Sequence, residues 1–562
     1  MIEAGVSHSA AMLVIASLKP DGCGQRRRMR QLLPGIGPRG TRIVPCDDAS
    51  GSVRCPILPR LIAWVFLIAS AGVTGAAEVA APADGGEGSF LDSFGINMQL
   101  DRSDHAARKQ MLLELGIRHN RCSTGVQGVS TVDATILGRI TDLASSGVKA
   151  TLLWSHWSSL TEMVSTTASL GSAVVAVEGP NETNLAAENF TYNGSGFPVG
   201  SRAIQRDMYA AFKADGRVRS LPVYLTTVAP TLSYADLGDM ETYGGSRNMD
   251  FGNMHCYYVV SHLLGDKLET YHIANARLAA PTLPLVCTET GFRTSEVSES
   301  AQAKYALRAF CEGFRRQVRR TYWFALVDDW NGLFGLLRAD LTRKPSFTAL
   351  RDLIAMLRDP GGSAPYPLGS LALTFANAPA SLRHLLLRDS SGTWSIIVWN
   401  EVLSYDNGAD LVVAPVPVVV GFGASFAQVT VHRPMQGTAA VASAAGVNQI
   451  AVDVPDHPLV IRLRPATAPA IATSPANQTV VAPATATFTV AASGVPTPTF
   501  HWQSAPSGSS TFAGISGATS VSYTTAATST GMSGVKYRCV ATNSAGSATS
   551  AVAVLTVLRR RR

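Results

Sequence analysis

The chain has 562 residues, of which 46% are apolar and 15% charged, with a formal net charge of +7. That length calls for about two to four domains, and the high apolar fraction excludes an intrinsically disordered protein. The charge does not mark a nucleic-acid partner, because it sits at the ends: residues 1–77 carry nine Lys/Arg against four Asp/Glu, the last four residues are arginines, and the stretch between has a net charge of −2.

The first element in chain order is the apolar run LIAWVFLIAS, Leu61 to Ser70, with Arg54 and Arg60 before it and AGVTGAA after it. A basic flank, a short apolar core and a small-residue region predict a secretory signal peptide within residues 1–77, cleaved near Ala77. The uncharged stretch Leu61–Ala77 is at the short limit for a membrane span, and its second half is Gly/Ala/Thr-rich. We therefore expect export, as a secreted, cell-surface or periplasmic protein without stable membrane insertion. Residues 1–52 read as an over-long start, with translation from near Val53. Cys122, Cys256, Cys287, Cys311 and Cys539 lie beyond the signal. No CxxC spacing or Cys/His cluster marks a zinc site, and neither a metal nor a cofactor is expected. Five is an odd number that leaves room for one or two disulfides, and the sequence does not pair them.

From 88 to 360 short apolar runs alternate with amphipathic segments. The strand candidates are 94–100, 117–123, 148–154, 173–179, 221–229, 249–258, 283–290 and 320–327, with helix-like stretches such as HAARKQMLLELG and ESAQAKYALRAFCEGFRRQ between them. Eight strand-and-helix units without a Gly-rich phosphate loop predict a (β/α)8 TIM barrel rather than an open doubly wound sheet. A linker, PGGSAPYPLGS, leads to alternating segments at 366–465 that predict a β-sandwich accessory domain. After RPATAPAIATSPAN, residues 472–558 form a Ser/Thr/Ala-rich β domain in which Trp502 precedes Tyr537-Arg538-Cys539. Through FTVAASGVPTPTFHWQ and YRCVATNSAGS this segment resembles the immunoglobulin-like modules of secreted bacterial proteins. The strand facing Cys539 has no cysteine near Val490, so no intersheet disulfide is expected there.

Active sites of such barrels lie at the C-terminal ends of the strands. The fourth strand ends in EGPNE, which sets Asn181 and Glu182 at the rim, and the seventh ends in CTETG, which sets Glu289 there. The sixth contributes His255 and Tyr257, the second Arg121, the third Trp154 and His156, and the eighth leads to Trp323, Asp328 and Trp330. Carboxylates after strands 4 and 7 face each other across the mouth, as hydrolysis of a glycosidic bond requires.

On Asn181-Glu182, TETGF around Glu289, His255-x-Tyr257, Arg121 and RKPSF (343–347), the segment 88–360 resembles the retaining glycoside hydrolases of clan A, the cellulase-like superfamily. The resemblance implies Glu182 as acid/base, Glu289 as nucleophile and Asn181 as a hydrogen-bonding partner of the sugar 2-hydroxyl. It further implies that Tyr257 and Arg121 orient Glu289, while His255, Trp154, His156, Trp323 or Trp330 line the sugar subsites. Glu289 beside Arg121 is expected to stay ionised, and Glu182 facing that charge is expected to have a raised pKa. Blander roles stand beside these: Glu182 as a helix N-terminal acid, Arg121 as an ion-pair partner of Glu178, and the tryptophans as core. Asn181 matches a glycosylation acceptor, which we take as accidental. The expected partner is a carbohydrate, with neither nucleic acid nor membrane, and the alternative is a non-catalytic carbohydrate-binding or surface-adhesion protein.

Overall fold

A computed structural model describes residues 77–84, 88–126, 131–229, 234–328, 332–359 and 366–560. Trp330 and the expected signal peptide ahead of Ala77 lie outside these. No helix among the described residues is long and apolar enough to cross a membrane.

The barrel strands are β1 (Phe94–Asn97), β2 (His119–Ser123), β3 (Lys149–Leu153), β4 (Val174–Glu178), β5 (Val223–Tyr224), β6 (Gly252–Tyr257), β7 (Leu285–Gly291) and β8 (Thr321–Trp323). They form one parallel sheet in which β8 returns to β1. The last gap, between β5 and β6, is closed by a parallel bridge from Tyr224 to Phe251 and by the Leu225 N–H donating to the Phe251 carbonyl at 3.0 Å. The sheet is therefore a closed barrel. Its strands are buried on both faces, as β7 is along its whole length, which is why they read as apolar runs rather than alternating ones.

Outside the strands lie α1 (His105–Leu115), α2 (Ala134–Ser145), α3 (Leu160–Leu170), α4 (Val199–Ala214), α5 (Leu264–Lys267), α6 (Ala274–Ala279), α7 (Glu299–Arg315) and α8 (Pro345–Leu357). Asp133, Ser159 and Ser298 cap α2, α3 and α7 by accepting from first-turn N–H groups. The expected fifth strand, 221–229, is cut short, and the described part of the β5–β6 connection holds 3-10 turns in place of an α-helix. There Leu237, Met240 and Met249 cover the barrel instead.

The β-sandwich has a three-stranded sheet (Thr374–Ala376, Val416–Phe426, Val447–Val454) and a six-stranded sheet. The last strand of the larger sheet comes from ahead of the barrel, since Ala81–Pro82 pairs in parallel with Leu382–Arg388. Ala77–Val79 likewise pairs with Ser370–Ala372, so the sandwich includes residues outside 366–465. Alternation along the strands divides its residues between two cores. Leu386, Ile396, Val398 and Ile461 fill the sandwich, while Leu385, Leu387, Ile397, Trp399 and Val460 join the apolar cluster of the barrel. The C-terminal domain packs Phe488, Val490, Trp502, Tyr537, Cys539 and Leu555, with Tyr537 stacked on Phe488 at 4.6 Å between ring centroids. No disulfide joins the cysteines of the described residues: Cys122, Cys256, Cys287, Cys311 and Cys539 are all buried free thiols.

Candidate active site

Because all eight strands run the same way, their C-terminal ends meet on one rim, and the side chains there converge on Arg121. This guanidinium is 4% exposed. Its Nε donates to Glu178 at 2.7 Å and its Nη2 to Glu178 and Asn181 at 2.8 and 2.9 Å. Its Nη1 donates to Asn97 at 3.1 Å and to Glu289 at 2.7 Å. A guanidinium has five N–H donors, and all are used. Arg121 is thus both the partner of Glu178 and the orienter of Glu289. Glu178 is fully buried and also accepts from Thr288 at 3.1 Å.

Glu289 receives a second donor on its other oxygen, the Tyr257 hydroxyl at 2.6 Å. Burial and the Glu289 charge push the Tyr257 phenol well up, so it stays a donor. Glu182 sits just past β4 with φ 37°, in the left-handed region that favours glycine. Its N–H donates to Thr227 Oγ1 at 3.1 Å, and the Thr183 N–H donates to the Thr227 carbonyl at 3.2 Å. The chain beyond β5 thereby holds the strained residue in place.

His255 lies between the two acids. Its Nδ1 is 2.8 Å from Glu182 and 3.6 Å from Glu289, and this nitrogen and one oxygen of each carboxylate lie within 4.8 Å of one another. Burial alone would depress the imidazole pKa, but the charges of Glu289 and Glu182 outweigh it and raise it. Burial pushes Glu182 up, and the hydrogen bond and charge of His255, with Arg121 behind, bring its carboxyl net below its ordinary value. This corrects the expectation of a raised Glu182: the resting proton belongs to the His255–Glu182 pair and lies toward the imidazole. One imidazole and two carboxylates could also take a divalent cation, although here these groups are already engaged with one another.

A cavity of about 230 Å³ opens from Glu289 and Asn181 toward the loops after β2 and β3. Trp154 and His156 line it, as do Trp157 and Glu188. Trp323 is corrected to a core residue: it is fully buried and its indole N–H donates to the Phe334 carbonyl at 3.1 Å. Asp328, after β8, is a buried structural acid that accepts from Lys344 at 2.8 Å and from the Gly335 N–H at 2.7 Å. His255 pairs with Glu182 and lies beside Glu289, and it is not among the residues that line the cavity. Sequence reasoning did not single out Asn97, Thr288 and Asn253, which tie Arg121 and Glu178 to β1, β7 and β6. It also passed over Trp157, whose only signal was its place three residues beyond Trp154.

Residues 469–557 match the family description of the immunoglobulin I-set domain. A stretch of 94 residues, 16% of this chain, is 48% identical to endoglucanase C of Cellulomonas fimi and spans 8% of that protein's length. Among solved structures, the chain is similar to a family 39 glycoside hydrolase of Bacteroides cellulosilyticus WH2, with 12% identity over 66% of this chain and 81% of that one, at a TM-score of 0.48. It is also similar to an endo-β1,6-glucanase, with 13% identity over 66% of this chain and 91% of that one, at a TM-score of 0.37.

Proposed function

We propose that this chain is a glycoside hydrolase that cleaves the O-glycosidic bond of a β-linked glycan with retention, with Glu289 as nucleophile and Glu182 as acid/base. The observation that carries this reading is the approach of the two carboxylates, whose oxygens come within 4.8 Å. That supports a direct attack geometry, since retaining pairs lie about 5–5.5 Å apart and inverting pairs about 6.5–9.5 Å. Glu289, held by Arg121 and Tyr257, attacks the anomeric carbon as Glu182 protonates the departing oxygen. In the second step Glu182 takes a proton from water, whose oxygen displaces Glu289 from the same carbon. The proton for the first step comes from His255 along the 2.8 Å hydrogen bond. A sugar seated between the acids expels water, which disfavours the ion pair and returns the proton to Glu182.

Glu182→Gln and Glu289→Gln are each expected to abolish release of reducing sugar from a polysaccharide panel while leaving the circular dichroism spectrum intact. Near-normal turnover in either variant would overturn the assignment. Proton NMR of the first-formed anomer checks retention. Saccharide binding by the wild type without any hydrolysis would favour the adhesion reading. The reading includes export, supported by the composition of residues 54–77, and N-terminal sequencing of secreted protein tests it, with a start at Met1 counting against it.

A further inference from the structure

The cavity beside Glu289 extends past the reacting centre to a seam between two loops. His156, after β3, packs edge-on against Phe190, in the loop ahead of α4, at 5.2 Å between ring centroids. On either side of that contact stand Trp157 and Glu188, both facing the cavity. Trp157 is 52% exposed and leans on His156 at 4.6 Å, so a large indole face is held open to solvent within a concave site. Two further nitrogens are buried within residues of this region: Trp154 Nε1 and His156 Nε2 have no hydrogen-bond partner among the described residues, and Trp154 as a whole is fully buried. Buried nitrogens without partners are rare in folded proteins, and here both belong to residues that line the cavity.

Resting on the glycosidase reading, we infer that this seam is a second sugar subsite on the glycone side, with Trp157 stacking under a pyranose ring and Glu188 hydrogen-bonding its hydroxyls. The side of the cut follows from which acid borders the cavity. Glu289, which keeps the glycone during the reaction, lines it together with Asn181, while Glu182, which faces the leaving group, does not. An indole face attracts the positively polarised C–H bonds of a sugar ring. The substrate therefore carries at least two sugars ahead of the scissile bond.

The charge of the seam limits what that second sugar can be. Among the described residues lining the cavity Arg121 is the one Lys or Arg, and its five N–H groups are committed. Glu188 stands close enough to the catalytic acids that burial, Glu182 and Glu289 together raise its carboxyl pKa. A sugar carboxylate would meet acids with no cation to pair it, so the subsite takes a neutral or amino sugar and rejects a uronate.

Matched aryl mono- and diglycosides of one neutral sugar series test this, with a diglycoside carrying a terminal uronate as the third substrate. Wild type is expected to favour the neutral diglycoside over the monoglycoside by about tenfold or more in kcat/KM. Trp157→Ala should remove most of that gap while leaving the monoglycoside rate near wild type, and Trp157→Phe should restore part of it. Glu188→Gln should narrow the discrimination against the uronate. Equal wild-type rates on mono- and diglycosides, or a Trp157→Ala loss equal on both, would overturn the subsite and leave the glycosidase standing. Absence of turnover on every glycoside would overturn the glycosidase reading and this inference with it.

Discussion

Arg121 divides its donors between a structural acid, Glu178, and the proposed nucleophile, Glu289, so a change at the first is felt at the second. Glu178→Ala leaves two donors of a buried guanidinium unpaired and should cost about 3–5 kcal/mol of stability, measured by urea unfolding, with a fall in kcat on the surviving protein. His255 makes a separate prediction about pH. Its raised pKa keeps the His255–Glu182 proton in place below a value above 6.5, and activity is lost as pH rises through it. In His255→Asn that proton rests on Glu182 alone, a carboxyl, so the alkaline limb of kcat/KM should move to lower pH. An unmoved limb would sink the role given to the pair. Glu182, Glu289, Arg121 and Tyr257 were legible because each lies within a strand candidate or just past one, as a polar residue in a stretch that the barrel buries. Glu178 lies at the end of a buried strand and reads as part of the same EGPNE cluster. Its commitment to Arg121 depends on the closure of the barrel, which brings β2, β4 and β7 together.

At the level of elements, close packing across β1 and β8 leaves one position that admits no side chain. A Cβ on Gly95 would lie 2.3 Å from the Tyr322 ring, and the Tyr322 hydroxyl is hydrogen-bonded to Thr151 at 2.7 Å, which limits the ring's retreat. Gly95→Ala should therefore cost about 1–3 kcal/mol, read from thermal unfolding; an unchanged Tm would show that the ring can move. The existence and order of the eight strands were legible, whereas the lengths of β5 and β8, Val223–Tyr224 and Thr321–Trp323 in place of 221–229 and 320–327, were not. LPVYLTTVA reads as nine residues of strand, yet after Tyr224 its polar groups turn to other tasks. The Thr226 hydroxyl donates to the Pro180 carbonyl at 2.6 Å, and Thr227 receives the Glu182 N–H. Side chains that serve the active-site loop have the composition of a strand, so β-propensity alone cannot tell the two apart.

Across the whole molecule, barrel and sandwich share one apolar cluster and a fully buried ion pair, Arg308 with Glu401 at 2.8 Å. Glu401 also accepts from the Trp399 indole at 2.8 Å and from the Gly265 N–H at 3.1 Å, so the pair ties α7 and α5 to the sandwich. Arg308→Ala should strand that acid and cost about 3–5 kcal/mol, and differential scanning calorimetry should show barrel and sandwich losing stability in the same transition. A chain ending near residue 465 removes only the immunoglobulin-like domain, which has its own core, and is expected to keep its activity on soluble glycosides. The second expected linker is corrected: Thr467–Thr473 within RPATAPAIATSPAN is a strand paired with Ala491–Val495 of the immunoglobulin-like domain, its Ala/Pro/Thr composition having read as a spacer. The strand lent to the sandwich by residues 81–82 was not legible either, because two residues carry no periodicity.

That borrowed strand makes the barrel an insertion within the sandwich rather than a bead placed before it. The sandwich sheet cannot be completed until the ribosome has made everything between Pro82 and Leu382. Its first strand must therefore wait, unpaired, through synthesis of the entire barrel. The interval exposes an edge to pairing with neighbouring chains, and its brevity, two residues ending in proline, gives such chains little to hold.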